Sequence, residues 1–109
     1  MRVALISLAF AVACSESTSS PPPSGPIPFY ATNSASATIT AYTLADSGNA
    51  APLSALGGTN TTLDEPEGIV LHPTGVLITT SANPGRILVF AAGASGDVAP
   101  ITSIVGANT

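Results

Sequence analysis

Residues 37–61 read ATITAYTLADSGNAAPLSALGGTNT, and residues 85–109 read GRILVFAAGASGDVAPITSIVGANT. At a shift of 48 the two stretches align without a gap over 25 positions. Eight pairs are identical: Ile39/Ile87, Ser47/Ser95, Gly48/Gly96, Ala51/Ala99, Pro52/Pro100, Gly58/Gly106, Asn60/Asn108 and Thr61/Thr109. A composition this biased would give roughly two or three by chance. Tyr42/Phe90, Asn49/Asp97, Leu53/Ile101 and Leu56/Ile104 are conservative pairs. The shared Gly, Pro and Asn positions carry most weight, because tight turns need those residues for physical reasons.

A period of 48 exceeds the roughly 34 residues of a helical-hairpin repeat and fits the roughly 40–50 of a four-stranded propeller blade. The strand signals agree. Ile69 to His72 is short and apolar, and Pro73-Thr74-Gly75 interrupts it. Val76 to Thr80 is rich in β-branched residues, and Ser81 to Gly85 turns the chain. Arg86 to Phe90 is apolar on both faces, as expected of an inner strand buried between stacked blades. Ile101 to Val105 makes the fourth strand. The preceding unit contributes Phe29 to Thr32, Thr38 to Thr43 and about Leu53 to Leu56; a proline-rich stretch stands where its first strand would be. No segment beyond the N-terminus holds a helical period. The expected fold is all-β: an incomplete β-propeller of about one and three-quarter four-stranded antiparallel blades over residues 29–109.

Within that unit, Pro66-Glu67-Gly68-Ile69-Val70-Leu71-His72-Pro73-Thr74-Gly75-Val76-Leu77-Ile78 resembles the opening of an NHL-type repeat. Arg86-Ile87-Leu88-Val89-Phe90 resembles the Arg-Ile-x-Val-Phe strand of that family. The likeness covers Leu63 to Phe90 well and Ala31 to Tyr42 more weakly. Thr80 and Ser81 stand where the family often carries Asp, so no role of that residue transfers. The resemblance implies the fold; the family hosts many functions. Repeat arrays need about three or more units, so the chain is expected to be an N-terminal fragment of a longer repeat protein. The alternative is a short protein that closes by self-association.

The N-terminus reads as an address. Arg2 supplies a positive charge, and Val3 to Ala13 is an apolar run broken only by Ser7. It is too short to span a bilayer, which takes about 20 apolar residues, and it fits a signal peptide. The run ends Ala11-Val12-Ala13-Cys14, which resembles the lipobox of bacterial lipoproteins, with Ala11 where Leu is usual. The resemblance implies cleavage after residue 13 and lipidation of Cys14. An ordinary secretory cut after Ala-x-Ala would leave Cys14 a free thiol; lipidation gives the chain's single cysteine a purpose. Two or three acyl chains hold a protein firmly, at about 0.8 kcal/mol per buried methylene. Residues 14–28 follow as a Ser/Pro-rich tether, with five Ser and five Pro in SESTSSPPPSGPIP. Such a stretch buries too little surface to offset its ordering entropy and acts as a semi-rigid, disordered spacer. The expected location is the bacterial cell envelope, lipid-anchored and extracytoplasmic. Ser15 in place of Asp points to the outer membrane or cell surface.

Composition excludes some functions. The chain has no Lys, and beyond Cys14 its only basic residue is Arg86, against six acidic ones. A nucleic-acid partner is excluded, because phosphate neutralisation needs clustered Lys and Arg. His72 is the only histidine, at a strand end where it serves best as a turn cap; a metal or general-base role would need a partner histidine. Asp64, Glu65 and Glu67 form an acidic loop between the units. Propeller lactonases resemble this fold and hold a divalent ion with carboxylates at the central channel, so two carboxylates here could serve a calcium-type site. A solvated loop is the commoner reading. Gly57-Gly58 and Gly106 precede neither a Lys nor a helix and are no phosphate cradle. Ser15, Ser47 and Ser95 have no nucleophile-elbow context. No catalytic residue, cofactor or metal is assigned. The expected function is a membrane-anchored binding or scaffold module for a protein or glycan. The alternative is part of a lactonase- or lyase-like propeller enzyme whose site lies in other blades.

Overall fold

The computed structural model describes residues 28–109. The expected signal peptide, Cys14 and all but the last residue of the expected tether lie outside the described residues. Seven strands follow in order: β1 Pro28–Asn33, β2 Thr38–Thr43, β3 Ser54–Gly57, β4 Pro66–Leu71, β5 Leu77–Ser81, β6 Arg86–Phe90 and β7 Thr102–Val105. They form two antiparallel meanders. Sheet A runs β1-β2-β3 and sheet B runs β4-β5-β6-β7. The only helical pieces among the described residues are 3-10 turns at Ser34–Ser36 and Thr59–Thr61. The described residues are therefore all-β.

The repeat fixes the register of both sheets. Phe29 faces Tyr42, and 48 residues on Leu77 faces Phe90. Ile39 faces Leu56, as Ile87 faces Ile104. Ala41 faces Ser54, as Val89 faces Thr102. The turns repeat too. Leu53 N–H donates to Ala41 O at 2.8 Å, as Ile101 N–H does to Val89 O. Thr61 donates its N–H and hydroxyl to Gly58 O, and Thr109 donates both to Gly106 O. Gly58 and Gly106 adopt φ of 123° and 151°, which side chains disfavour and glycine tolerates. Identity at eight of 25 positions thus preserves strand pairing throughout, because the conserved residues are those that set the turns.

The sheets stack. One apolar cluster joins Ile39, Leu56 and the linker residue Leu63 to Leu77, Leu88 and Phe90 of sheet B. Strand alternation explains which residues enter it. Ile39, Ala41 and Thr43 on β2 are buried while Thr38, Thr40 and Tyr42 are not fully covered. On β6 the opposite set is sealed: Leu88 and Phe90 are buried, and Ile87 and Val89 lie partly open. Sheet A thus presents one face of the repeat and sheet B the other.

Two differences from the sequence reading have physical causes. Strand β6 is sealed on one face, where both were expected, because no sheet among the described residues covers its Ile87 side. Strand β4 starts at Pro66, three residues before the expected Ile69, and its pairing with β5 shifts register between Pro66 and Ile69. Side-chain hydroxyls take over there: Thr79 Oγ1 donates to Gly68 O at 2.8 Å, and Gly68 N–H donates to Thr80 Oγ1 at 2.9 Å. The displaced backbone groups stay satisfied, as a bulge requires.

Candidate functional site

The residues that matter most lie at the seam between the sheets and on the two faces the seam leaves open. At the seam, the β6–β7 loop reaches back to β3. Gly96 N–H donates to Ala55 O at 2.7 Å, and Gly57 N–H donates to Gly96 O at 3.1 Å. These bonds make a short parallel bridge between Leu56 and Gly96. Beside it, Asn60 donates its backbone N–H to Asp97 Oδ1 at 2.7 Å and its side-chain N–H to Oδ2 at 3.1 Å. A carboxylate receiving two donors is a strong, directional clasp. A Cβ at Gly58 would fall 2.4–2.8 Å from the Asp97 side chain, so only glycine admits it. Thr32 Oγ1 and Ser34 Oγ donate to Glu67 O and Pro66 O, both at 2.9 Å, and lash β4 to sheet A. Ser81 Oγ accepts from Asp64 N–H at 2.9 Å and also bonds Asp64 O.

The outer face of sheet A carries a cleft of about 340 Å³ lined by Phe29, Ala31, Tyr42 and the Asp46–Ala50 loop. Phe29 and Tyr42 pack across the strands with ring centroids 5.9 Å apart. Their counterparts, Leu77 and Phe90, are buried under sheet A. The cleft is therefore the uncovered version of the surface on which β3 rests at the seam. The outer face of sheet B shows the converse. Ile87 lies partly open and Ile104 open where Ile39 and Leu56 are buried, and a cavity of about 250 Å³ lies against Ile87, Arg86, Glu67 and Thr109.

Of the singled-out residues, Glu67 lines the cavity against sheet B, and the others fall outside these faces or serve structure. Cys14 lies outside the described residues. His72 closes the β4–β5 hairpin. Its Nδ1 accepts from Thr74 N–H at 3.3 Å and sits 2.7 Å from Thr74 Oγ1, the geometry of a turn cap. Asp64 and Glu65 hold the linker through backbone groups, with Glu65 O accepting from Ala82 N–H at 3.2 Å. Among the described residues, no three His, Cys, Asp or Glu side chains gather as a metal site would need. Asp97 and its counterpart Asn49 were the residues that sequence reasoning missed. The shift of 48 pairs them, but sequence alone did not show that the loop crosses to the neighbouring sheet.

Comparison with protein-family models, with curated proteins and with solved structures returned no match.

Proposed function

We propose that this chain is a lipid-anchored, extracytoplasmic binding or scaffold module whose two sheets are blades of a β-propeller-type array. The observation that supports it is the pairing register shared by the two sheets at a shift of 48, with one sheet stacked on the next. Radial repetition of four-stranded sheets builds propellers in this way. The NHL-like motifs in β4 to β6 point to the same architecture. The N-terminal hydrophobic run and Cys14 supply the anchor, and the Ser/Pro tether holds the blades clear of the lipid. What the described residues offer a partner is apolar cleft and loop, in keeping with recognition of a protein or glycan.

The anchor is tested by expressing the full chain in a bacterial host that processes lipoproteins. The mature protein should enter the detergent phase on Triton X-114 separation, with a mass showing an acylated N-terminal Cys14. Cys14→Ser should move it to the aqueous phase. An unmodified Cys14 thiol on a water-soluble product would overturn the anchored reading.

A further inference from the structure

The two open faces are the two halves of the seam already present between the sheets. We propose that copies of this chain stack head to tail, the outer face of sheet B in one copy seating on the outer face of sheet A in the next. The inference rests on the blade-like stacking proposed above and is independent of the anchor.

The internal seam supplies the template, and each part has a counterpart 48 residues away. At the seam, Leu56 on β3 joins Leu77 and Phe90 in the buried cluster. Across copies, Ile104 on β7 would enter the cleft walled by Phe29 and Tyr42. At the seam, Gly96 exchanges backbone hydrogen bonds with Ala55 and Gly57. Across copies, Gly48 would do so with Ser103 and Val105. Gly48 and Gly96 share a left-handed conformation, at φ of 63° and 72°, so the loop is already shaped for that approach. The Asp97–Asn60 clasp becomes Asn49–Asn108. A side-chain amide offers a carbonyl to the Asn108 N–H and an N–H to its side-chain oxygen, so the contact buries no charge. The loop also has room, since a Cβ at Gly106 would meet nothing within 4 Å in the free chain.

The occupant is a second copy because the surfaces complement each other and not themselves. An aromatic cleft meets a pair of isoleucines, and a loop tip meets a glycine turn. Such a contact is heterologous, so repeated contacts build a ring or an open stack instead of stopping at a symmetric dimer. Exposed β-branched and aromatic side chains on both faces give the contact its driving force: Phe29 is 45% exposed and Ile104 49%.

The test uses the purified full chain in detergent and two single-face variants. Phe29→Asp disables face A and Ile104→Asp disables face B. Asn49→Arg and Asn108→Arg, on exposed turns, serve as second variants if either of the first loses its β-sheet circular dichroism. Sedimentation velocity over a dilution series should show the wild type growing beyond a dimer. Each variant alone should remain a monomer. An equimolar mixture of opposite-face variants retains one good pair of faces, and should double in mass and stop there. A wild type that stays monomeric, variants that still assemble alone, or a mixture that remains monomeric would each overturn the proposal. Stacking of the two sheets within one chain is read separately, by amide exchange at Gly96 and Gly57 in the single-face variants, so failure here is distinct from failure of the blade reading.

Discussion

Ile39 and Ile87 are the same residue at the same place in the repeat, with the same cross-strand partner position, yet Ile39 is 1% exposed and Ile87 lies partly open. Truncating each to alanine therefore isolates the contribution of the stacked neighbour sheet. The substitution removes three carbons, and a transfer value of about 0.8 kcal/mol per buried methylene gives about 2.4 kcal/mol at a sealed site. The cavity left behind adds to this, and buried Ile→Ala changes cost about 2–5 kcal/mol. Ile39 is sealed between Leu56 and the Leu77–Phe90 surface, so Ile39→Ala should cost about 3–4 kcal/mol. Ile87 keeps part of its surface in water, with no sheet among the described residues packed above it, so Ile87→Ala should cost about 1–2 kcal/mol. The difference should be about 2 kcal/mol, which for a domain of this size is roughly 8–16 °C in Tm. Urea unfolding followed by circular dichroism measures both. An Asn49→Arg background keeps copies apart, so that Ile87 is not covered by a neighbour. Equal costs at the two positions would refute the stacking of sheet A on the Ile39 side.

The clasp and the glycines supply further tests. Asp97→Ala strips the acceptor from two Asn60 donors and should cost about 1–2 kcal/mol, whereas Asn49→Ala at the matching place should stay within about 0.5 kcal/mol in the monomer; the same urea titration reads both. Gly58→Ala forces a Cβ into Asp97 on top of a positive φ and should destabilise by about 1–3 kcal/mol more than Gly106→Ala, which shares the backbone strain and has open space; differential scanning calorimetry separates the two. Ser81→Ala leaves the Asp64 backbone groups without their side-chain partner and should cost about 1–3 kcal/mol, loosening the entry to β4; thermal unfolding measures it.

Much of the fold was legible because turns constrain sequence more tightly than strands do. Gly48, Pro52, Gly58 and Asn60 return 48 residues later, and their spacing alone places β2 with β6 and β3 with β7. The strand β6 shows where the sequence misled. Leu88 and Phe90 look no more apolar than Ile87 and Val89, so nothing in the chain itself marks which face a neighbour covers. The start of β4 was hidden for a different reason. Pro66 and Gly68 are residues that usually mark loops, and here they sit in a bulged strand whose backbone is satisfied by Thr79 and Thr80 hydroxyls. The clasp was invisible because an Asn–Asp exchange reads as conservative. Only the crossing of the β6–β7 loop to β3 makes Asp97 a partner of Asn60. The open clefts could not be read at all, since an apolar residue reads the same whether or not a neighbour lies over it.

One repeat unit rests on the next through a seam that the outermost faces lack, and amide hydrogen exchange at the paired glycines reads that seam residue by residue. In the Ile104→Asp chain, which is expected to stay monomeric, Gly96 N–H is bonded across the seam, whereas its counterpart Gly48 lines the open cleft. Exchange should be slow at Gly96 and Gly57 and fast at Gly48. Equal, fast exchange at Gly96 and Gly48 would contradict that seam, because the two sheets would then be neighbours in sequence without being stacked.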